Sequence, residues 1–331
     1  MMDYEIFKEA ATDIFKDYLP EQYRDMELKV IQVNKVNHTL DGINLIGGND
    51  GRWLSPTIYI NDMYDYYKAC GDLKEAVRKG AERMAEAFQK CRETPKTDLV
   101  DAKDNIVFQL VNTEQNRGML AGVPHRAFQD LSIIYRWVMK AGEEGIVSAV
   151  VKNELAEQLG VNEEQLFKLA AENTKRIFPP CVKSMNEIFC EMFEKDGMPH
   201  ELAEMMTGEM PAEQSMWVIS NHMGLNGAAS MLYEEKLHKL AEELESDLYI
   251  LPASVHEVIA VPASLGNPNE LAEMVAEVNM DLVSLEERLS NQVYHYDKDL
   301  RKLSIATDTP NKRLDGMAEE PPVIYEAKQS R

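Results

Sequence analysis

The residues best placed to do chemistry lie in two short stretches. Ser220-Asn221-His222-Met223-Gly224-Leu225-Asn226-Gly227-Ala228-Ala229-Ser230 sits between an apolar strand and a helix, where N–H groups at a helix start can hold an anion. Asn221, Gly224, Asn226 and Gly227 are the expected ligand contacts there. The spacing matches neither of the two common phosphate-loop patterns, and no lysine follows closely. Gly227-Ala228-Ala229 equally suits close packing of a helix on a sheet. The second stretch, Ser254-Val255-His256-Glu257, holds the residue types of a hydrolytic triad. In an extended strand His256 and Glu257 point to opposite faces, and Ser254 stands about 6–7 Å from His256 at roughly 3.3 Å per residue. Local orientation of the imidazole by Glu257 is therefore poor. A set drawn from different elements, Ser230 with His222 or His256, fits hydrolysis better.

Two further groups complete the inventory. Pro124-His125-Arg126 precedes a strand and presents an imidazole and a cation at its edge, a possible ligand contact or plain polar surface. His200 and Glu204, one helical turn apart, supply at most two metal ligands, and no H-E-x-x-H or cysteine–histidine cluster completes them. Neither a metal nor an organic cofactor is expected. Trp53, Trp137, Trp217 and the tyrosines of Tyr64-Asp65-Tyr66-Tyr67 read as core and rim, because few basic residues flank them.

These residues need a scaffold. Phe7, Ala11, Ile14, Phe15 and Tyr18 recur at helical steps before Pro20. From Met26 a meander of short strands follows, punctuated by Asp41-Gly42, Gly47-Gly48 and Asp50-Gly51 and ending at Thr57-Ile58-Tyr59-Ile60. Two helices, separated by Gly71, come next. The order strand, short helix, glycine, longer helix returns after Ile146-Val147-Ser148-Ala149-Val150-Val151, with Gly160 as the divider. Ile106–Val111 and Asp130–Val138 read as strands. Pro179-Pro180 and Asp196-Gly197-Met198-Pro199 break the pattern. Beyond them Tyr233, Leu237, Leu240 and Leu244 form one helix face, with Glu234, Glu235, Glu242, Glu243 and Glu245 turned to water. Leu271, Met274, Val275 and Val278 repeat that face, and a strand pair closes the fold near Gln292–Tyr296 and Arg301–Ala306. The expected class is α+β: mixed sheet segments covered by amphipathic helices, in two subdomains. Their expected limits are 1–176 and 212–306, joined by a connecting region at 177–211 and followed by a disordered tail at 307–331.

Composition narrows the function classes. Fifty-seven acidic residues against 35 basic give a formal net charge of −22, a field that repels phosphate backbones and anionic lipid. Direct nucleic-acid binding and membrane association are not expected. Residues 201–331 carry 24 acidic and 10 basic side chains, net −14, so the C-terminal third holds most of the excess. The four cysteines, Cys70, Cys91, Cys181 and Cys190, form no C-x-x-C pair, which suits a reducing cytoplasm. The start of the chain lacks a basic region followed by an apolar one, so no signal peptide is read.

Ile60-Asn61-Asp62-Met63-Tyr64-Asp65-Tyr66-Tyr67, Val111-Asn112-Thr113-Glu114-Gln115-Asn116, Val123-Pro124-His125-Arg126, Ala228-Ala229-Ser230-Met231-Leu232-Tyr233 and Leu251-Pro252-Ala253-Ser254-Val255-His256-Glu257-Val258 together resemble an uncharacterised domain-of-unknown-function family of Gram-positive gut bacteria. Members of that family often lie in integrative or conjugative elements. The stretch ending at Pro262 is more distantly similar to the end of YtpQ-like proteins. The resemblance implies a cytoplasmic α+β protein in a mobile-element context and carries over no catalytic residues. The leading functional expectation is a non-enzymatic interaction or regulatory protein whose acidic C-terminal third contacts a basic protein. The alternatives are a hydrolase at the 220–230 loop and the 254–256 strand, and an acidic decoy that imitates nucleic acid.

Overall fold

The apolar stripe of the first helix is buried as its spacing requires: Phe7, Ala11 and Phe15 are inaccessible to solvent on α1 (Tyr4–Phe15), capped by Asp3, whose side chain accepts from the Ile6 N–H. In this computed structural model residues 1–46, 56–93, 101–142, 145–208, 211, 215–252, 254–307 and 314 are described. Trp53 and the expected turns at Gly47-Gly48 and Asp50-Gly51 lie outside them. The chain divides into two units, Met1–Asp98 and Leu99–Arg331.

In the first unit α1 is followed by the single-turn α2 (Glu21–Arg24) and the strands β1 (Glu27–Lys35), β2 (His38–Ile46) and β3 (Thr57–Tyr59), then α3 (Ile60–Cys70) and α4 (Leu73–Glu93). The antiparallel sheet runs β1-β2-β3. Its hairpin turns at Asn37, which takes the left-handed φ of 64°. Gly42, expected to mark a turn, instead lies inside β2 opposite Ile31 and Tyr59. A β-carbon there would come within 2.4 Å of Thr57 Cγ2, so the glycine serves close strand approach.

The second unit contains β4 (Ile106–Asn112), α5 (Arg117–Leu120), β5 (His125–Phe128), β6 (Leu131–Gly142), β7 (Gly145–Val150), α6 (Asn153–Leu159) and α7 (Glu163–Ile177). It continues through β8 (Pro180–Ser184), α8 (Met185–Lys195), α9 (His200–Thr207), β9 (Trp217–Asn221), α10 (Glu234–Glu243), β10 (Leu248–Leu251), β11 (Val258–Pro262), α11 (Pro268–Asp281), β12 (Tyr294–Asp297) and β13 (Lys302–Ile305). One sheet runs β4-β6-β5 with β7 also beside β6, and a six-stranded sheet runs β13-β12-β10-β11-β9-β8. All pairings are antiparallel. The molecule is therefore α+β, with helices laid on antiparallel sheets. Among the described residues no helix is long and apolar enough to cross a membrane.

The break between units falls at Asp98–Leu99, not across 177–211. One apolar core runs through both sides of that segment, joining Phe108, Tyr135 and Leu166 to Ile219, Leu240, Ile250 and Tyr294. The Phe108 N–H donates to Thr174 Oγ1 at 3.0 Å and Asn112 Nδ2 donates to the Leu289 carbonyl at 3.1 Å. The misleading signal was Pro179-Pro180. Pro180 opens β8, an edge strand, where a missing N–H is tolerated.

Leu237, Leu240 and Leu244 are at most 5% exposed, as their period predicts. On α11 the buried row is Ala272, Val275 and Asn279, whereas Met274 and Val278, expected in the core, are 40% and 39% exposed. Two residues of the expected disordered tail, Thr307 and Leu314, are buried. The Thr307 hydroxyl donates to Gln292 Oε1, and Arg288 Nη1 donates to the Leu314 carbonyl at 2.5 Å. The remainder of the expected tail, 308–313 and 315–331, lies outside the described residues.

Candidate functional site

The strand–turn–helix expected around Gly227 is present in altered form. β9 delivers Asn221, a turn follows with Gly224 and Asn226 at φ of 62° and 52°, and a 3-10 helix spans Gly227–Leu232 before α10 begins at Glu234. Asn221 locks the turn from within: its Nδ2 donates to the Leu225 carbonyl at 2.9 Å and its Oδ1 accepts from the Met223 N–H at 2.9 Å. Gly227 is buried, and a β-carbon would lie 2.1 Å from Ser220 Oγ and 2.4 Å from the His256 carbonyl oxygen. This glycine is required by packing.

The 254–257 segment is bent and is not a continuous strand; Ser254 makes only an isolated bridge to Arg288. The bend does not produce a triad. The His256 N–H donates to Ser254 Oγ at 2.9 Å, and the Ser220 hydroxyl donates to the His256 carbonyl at 2.8 Å. The imidazole Nδ1 accepts from the Asn226 N–H at 3.2 Å, which places the ring proton on Nε2, 3.3 Å from Glu287 Oε1. Both ring nitrogens are engaged, so the neutral ring has no spare lone pair with which to take a proton from a serine. Among the described residues no serine hydroxyl of the set Ser220, Ser230 and Ser254 hydrogen-bonds an imidazole. Ser230 is buried in the 3-10 helix, while His222 is exposed and donates its backbone N–H to the Pro179 carbonyl. The structure thus brings Ser220, Asn226, Gly227, Ser254 and His256 together as a joint between β9 and the approach to β11.

His125 and Arg126 are likewise engaged. His125 Nδ1 lies 3.0 Å from the Val123 carbonyl. Arg126 donates twice to Glu163, at 2.9 Å each, and its guanidinium stacks 3.9 Å from the centre of the Phe167 ring. The Tyr135 hydroxyl donates to the same carboxylate at 2.5 Å. Burial pulls the Glu163 carboxyl up, but the hydrogen bonds from Arg126 and Tyr135 outweigh it and hold the group below the usual range. His200 sits between Glu194 (2.5 Å) and Glu204 (3.3 Å), and those carboxylates, Glu194 first, raise its pKa. Among the described residues no group of three or more His, Cys, Asp or Glu side chains is arranged to hold a metal. A surface hollow of 430 Å³ in the second unit is lined by Val161, Gln165 and Leu169, and one of 340 Å³ in the first unit by Lys8, Thr12 and Val30; neither includes the expected catalytic residues.

The acidic C-terminal third separates into two kinds of surface. On α10 the carboxylates are paired: Glu234 with Arg301, Glu235 with Lys175, Glu242 with Lys298 and Glu243 with Lys239. On α11 Glu270, Glu273, Glu277 and Asp281 are exposed and, among the described residues, join no ion pair. No lysine or arginine occurs from Ala263 to Glu287. At 100° per residue the four lie within about 80°, opposite Val275, and the part-exposed Met274 and Val278 flank them. Sequence periodicity missed this flank because it assigned Met274 and Val278 to the core.

No curated protein and no solved structure matches the chain. The family model described as a family of unknown function, DUF5688, matches residues 4–298, almost the whole of both units. The chain belongs to the DUF5688 family.

Proposed function

We propose that the protein is a non-enzymatic binding protein whose acidic C-terminal surface takes a basic protein partner, with α11 as the contact. The observation that carries this reading is the contrast between the two acidic helices. Carboxylates on α10 are satisfied by the protein's own lysines and arginines, whereas those on α11 face water in one row beside Met274 and Val278. Unpaired like charges eleven residues apart, about 16 Å at 1.5 Å per residue, repel one another and gain when a cationic surface approaches. That length suits a short basic segment better than a duplex-sized imitation of nucleic acid. In this reading the protein acts in the cytoplasm, in a mobile-element context of the kind the resemblance implies.

Affinity capture from native lysate tests it. The wild-type chain is expected to retain a basic protein at low salt and release it as salt rises through screening. The triple variant Glu270→Lys, Glu277→Lys, Asp281→Lys is expected to lose that protein while keeping its melting temperature. Equal capture by the variant, or no partner at low salt, overturns the reading.

A further inference from the structure

Gln109 is a buried amide whose own protons have no acceptor. It stands on β4, is 4% exposed, and its Oε1 accepts from Arg136 Nη1 at 3.0 Å. That contact fixes the orientation of the amide, since a flip would set two donors against each other. Among the described residues nothing accepts from its Nε2. Register places Val107 opposite Arg136 of β6 and Ile134 opposite Gln109, so the glutamine and the arginine rise from the same face of the sheet. On β7 that face holds Val150, opposite Arg136, and Ser148, opposite Val138. The half-buried guanidinium gives Nε–H to Ser148 Oγ at 3.0 Å, one Nη2 hydrogen to the Ser148 carbonyl at 3.3 Å and one Nη1 hydrogen to Gln109. One hydrogen on each terminal nitrogen remains.

Every acceptor of Arg136 is neutral. Arg78, Arg117, Arg126 and Arg301 each reach a glutamate, whereas among the described residues no carboxylate pairs with Arg136, and burial pulls its pKa down with no charged neighbour to oppose it. Two hydrogens of Arg136, two of Gln109 Nε2 and the Ser148 hydroxyl hydrogen are donors without an acceptor. Converging donors around one unbalanced positive charge are the complement of an oxyanion. We infer that Arg136, Gln109 and Ser148 form a binding site for a carboxylate. One cation balances one such group, and a phosphate dianion would bring a second negative charge into a chain of net −22. Val107 and Val138 flank the arginine and pack with Phe178, and beside that apolar wall a charge-assisted hydrogen bond gains strength. The site shares no residue with α11 and stands independently of the basic partner proposed there.

Nitrogen-15-labelled full chain, titrated with sodium acetate while sodium chloride holds the ionic strength constant, tests the site. The side-chain amide signals of Gln109, identified by their loss in Gln109→Leu, are expected to shift saturably with a millimolar midpoint. Arg136→Met is expected to weaken acetate at least tenfold. Arg136→Lys, which keeps the charge and loses the planar fork, is expected to weaken it at least threefold and serves where the methionine variant fails to fold by circular dichroism. Sodium phosphate is expected to bind at least threefold more weakly than acetate. A blocked tripeptide, acetyl-Ala-Glu-Ala-amide, distinguishes the source of the carboxylate: binding tighter than acetate assigns the site to an acidic side chain of another protein, and weaker binding assigns it to a free organic acid. No saturable shift with acetate overturns the inference, as does an unchanged affinity in the folded Arg136 variants or phosphate binding as strong as acetate.

Discussion

Tyr294 donates its phenolic hydrogen to Asp130 Oδ1 at 2.5 Å, across 164 positions of sequence. Ser290 holds the other oxygen at 2.5 Å. The pair ties the turn before β6 to the first residue of β12 and so joins the two sheets of the second unit. Tyr294→Phe keeps the ring in its wholly buried place and removes the donor. Asp130 is half-buried, and losing one hydrogen bond to its charged carboxylate costs about 1.5–3 kcal/mol. Urea denaturation is expected to show a midpoint lowered accordingly, with an unchanged slope. An unaltered midpoint would show that the bond contributes nothing net.

The same burial sets the alkaline limit. Desolvation first, then the neighbouring carboxylate, pushes the phenols of Tyr294 and Tyr135 up well above 10, and burial pushes Tyr233 to about 12. A group whose folded pKa is raised gives stability that is full below its unfolded value, about 10 for tyrosine, and is lost as pH rises toward the folded value. Above pH 10 the unfolded chain releases protons that the native one retains, so stability is expected to fall steadily there. Phenolate absorbance should resolve a late class among the 13 tyrosines that ionises together with loss of circular dichroism. A single step near pH 10 with the fold intact contradicts this.

Gly227→Ala tests the joint. The added methyl would meet Ser220 Oγ and the His256 carbonyl well inside contact distance, both of which are backbone or backbone-tied. Overpacking of this kind costs about 1–3 kcal/mol. Gly224 has open space around it and a φ of 62°, so Gly224→Ala costs about 1 kcal/mol through backbone strain alone. Thermal melts of the two variants should rank in that order. Equal melting temperatures would mean that the turn relaxes around Gly227.

How far these features could be read from the residues depends on whether the signal was local. The leucines of α10 and the stripe of α1 were legible because period and burial coincide. Gly42 was misread as a turn since a glycine chosen for close strand approach looks the same in sequence as one chosen for its φ. The division at Asp98 and the joint of His256 with Asn226 and Glu287 depend on partners about 30 residues or more away, which spacing cannot report. Periodicity also says which helix face is apolar but not whether anything covers it. Met274 on α11 and Met205 on α9 follow ordinary core patterns and stand in water.

Arg288 holds Leu314, a residue of the expected disordered tail. The arginine is 9% exposed, with Nε donating to the Val283 carbonyl and Nη1 to that of Leu314, and Leu314 is 2% exposed. Burying a leucine is worth about 1.5–3 kcal/mol, so a chain ending at Thr307 is expected to lose about 2 kcal/mol in denaturant titration. Leu314→Ala in the full chain should reproduce most of that loss, because it empties the same site while leaving the backbone carbonyl available to Arg288. If truncation leaves the midpoint where it was, the docking of Leu314 on Arg288 adds nothing to the fold, and the C-terminal segment is free of it.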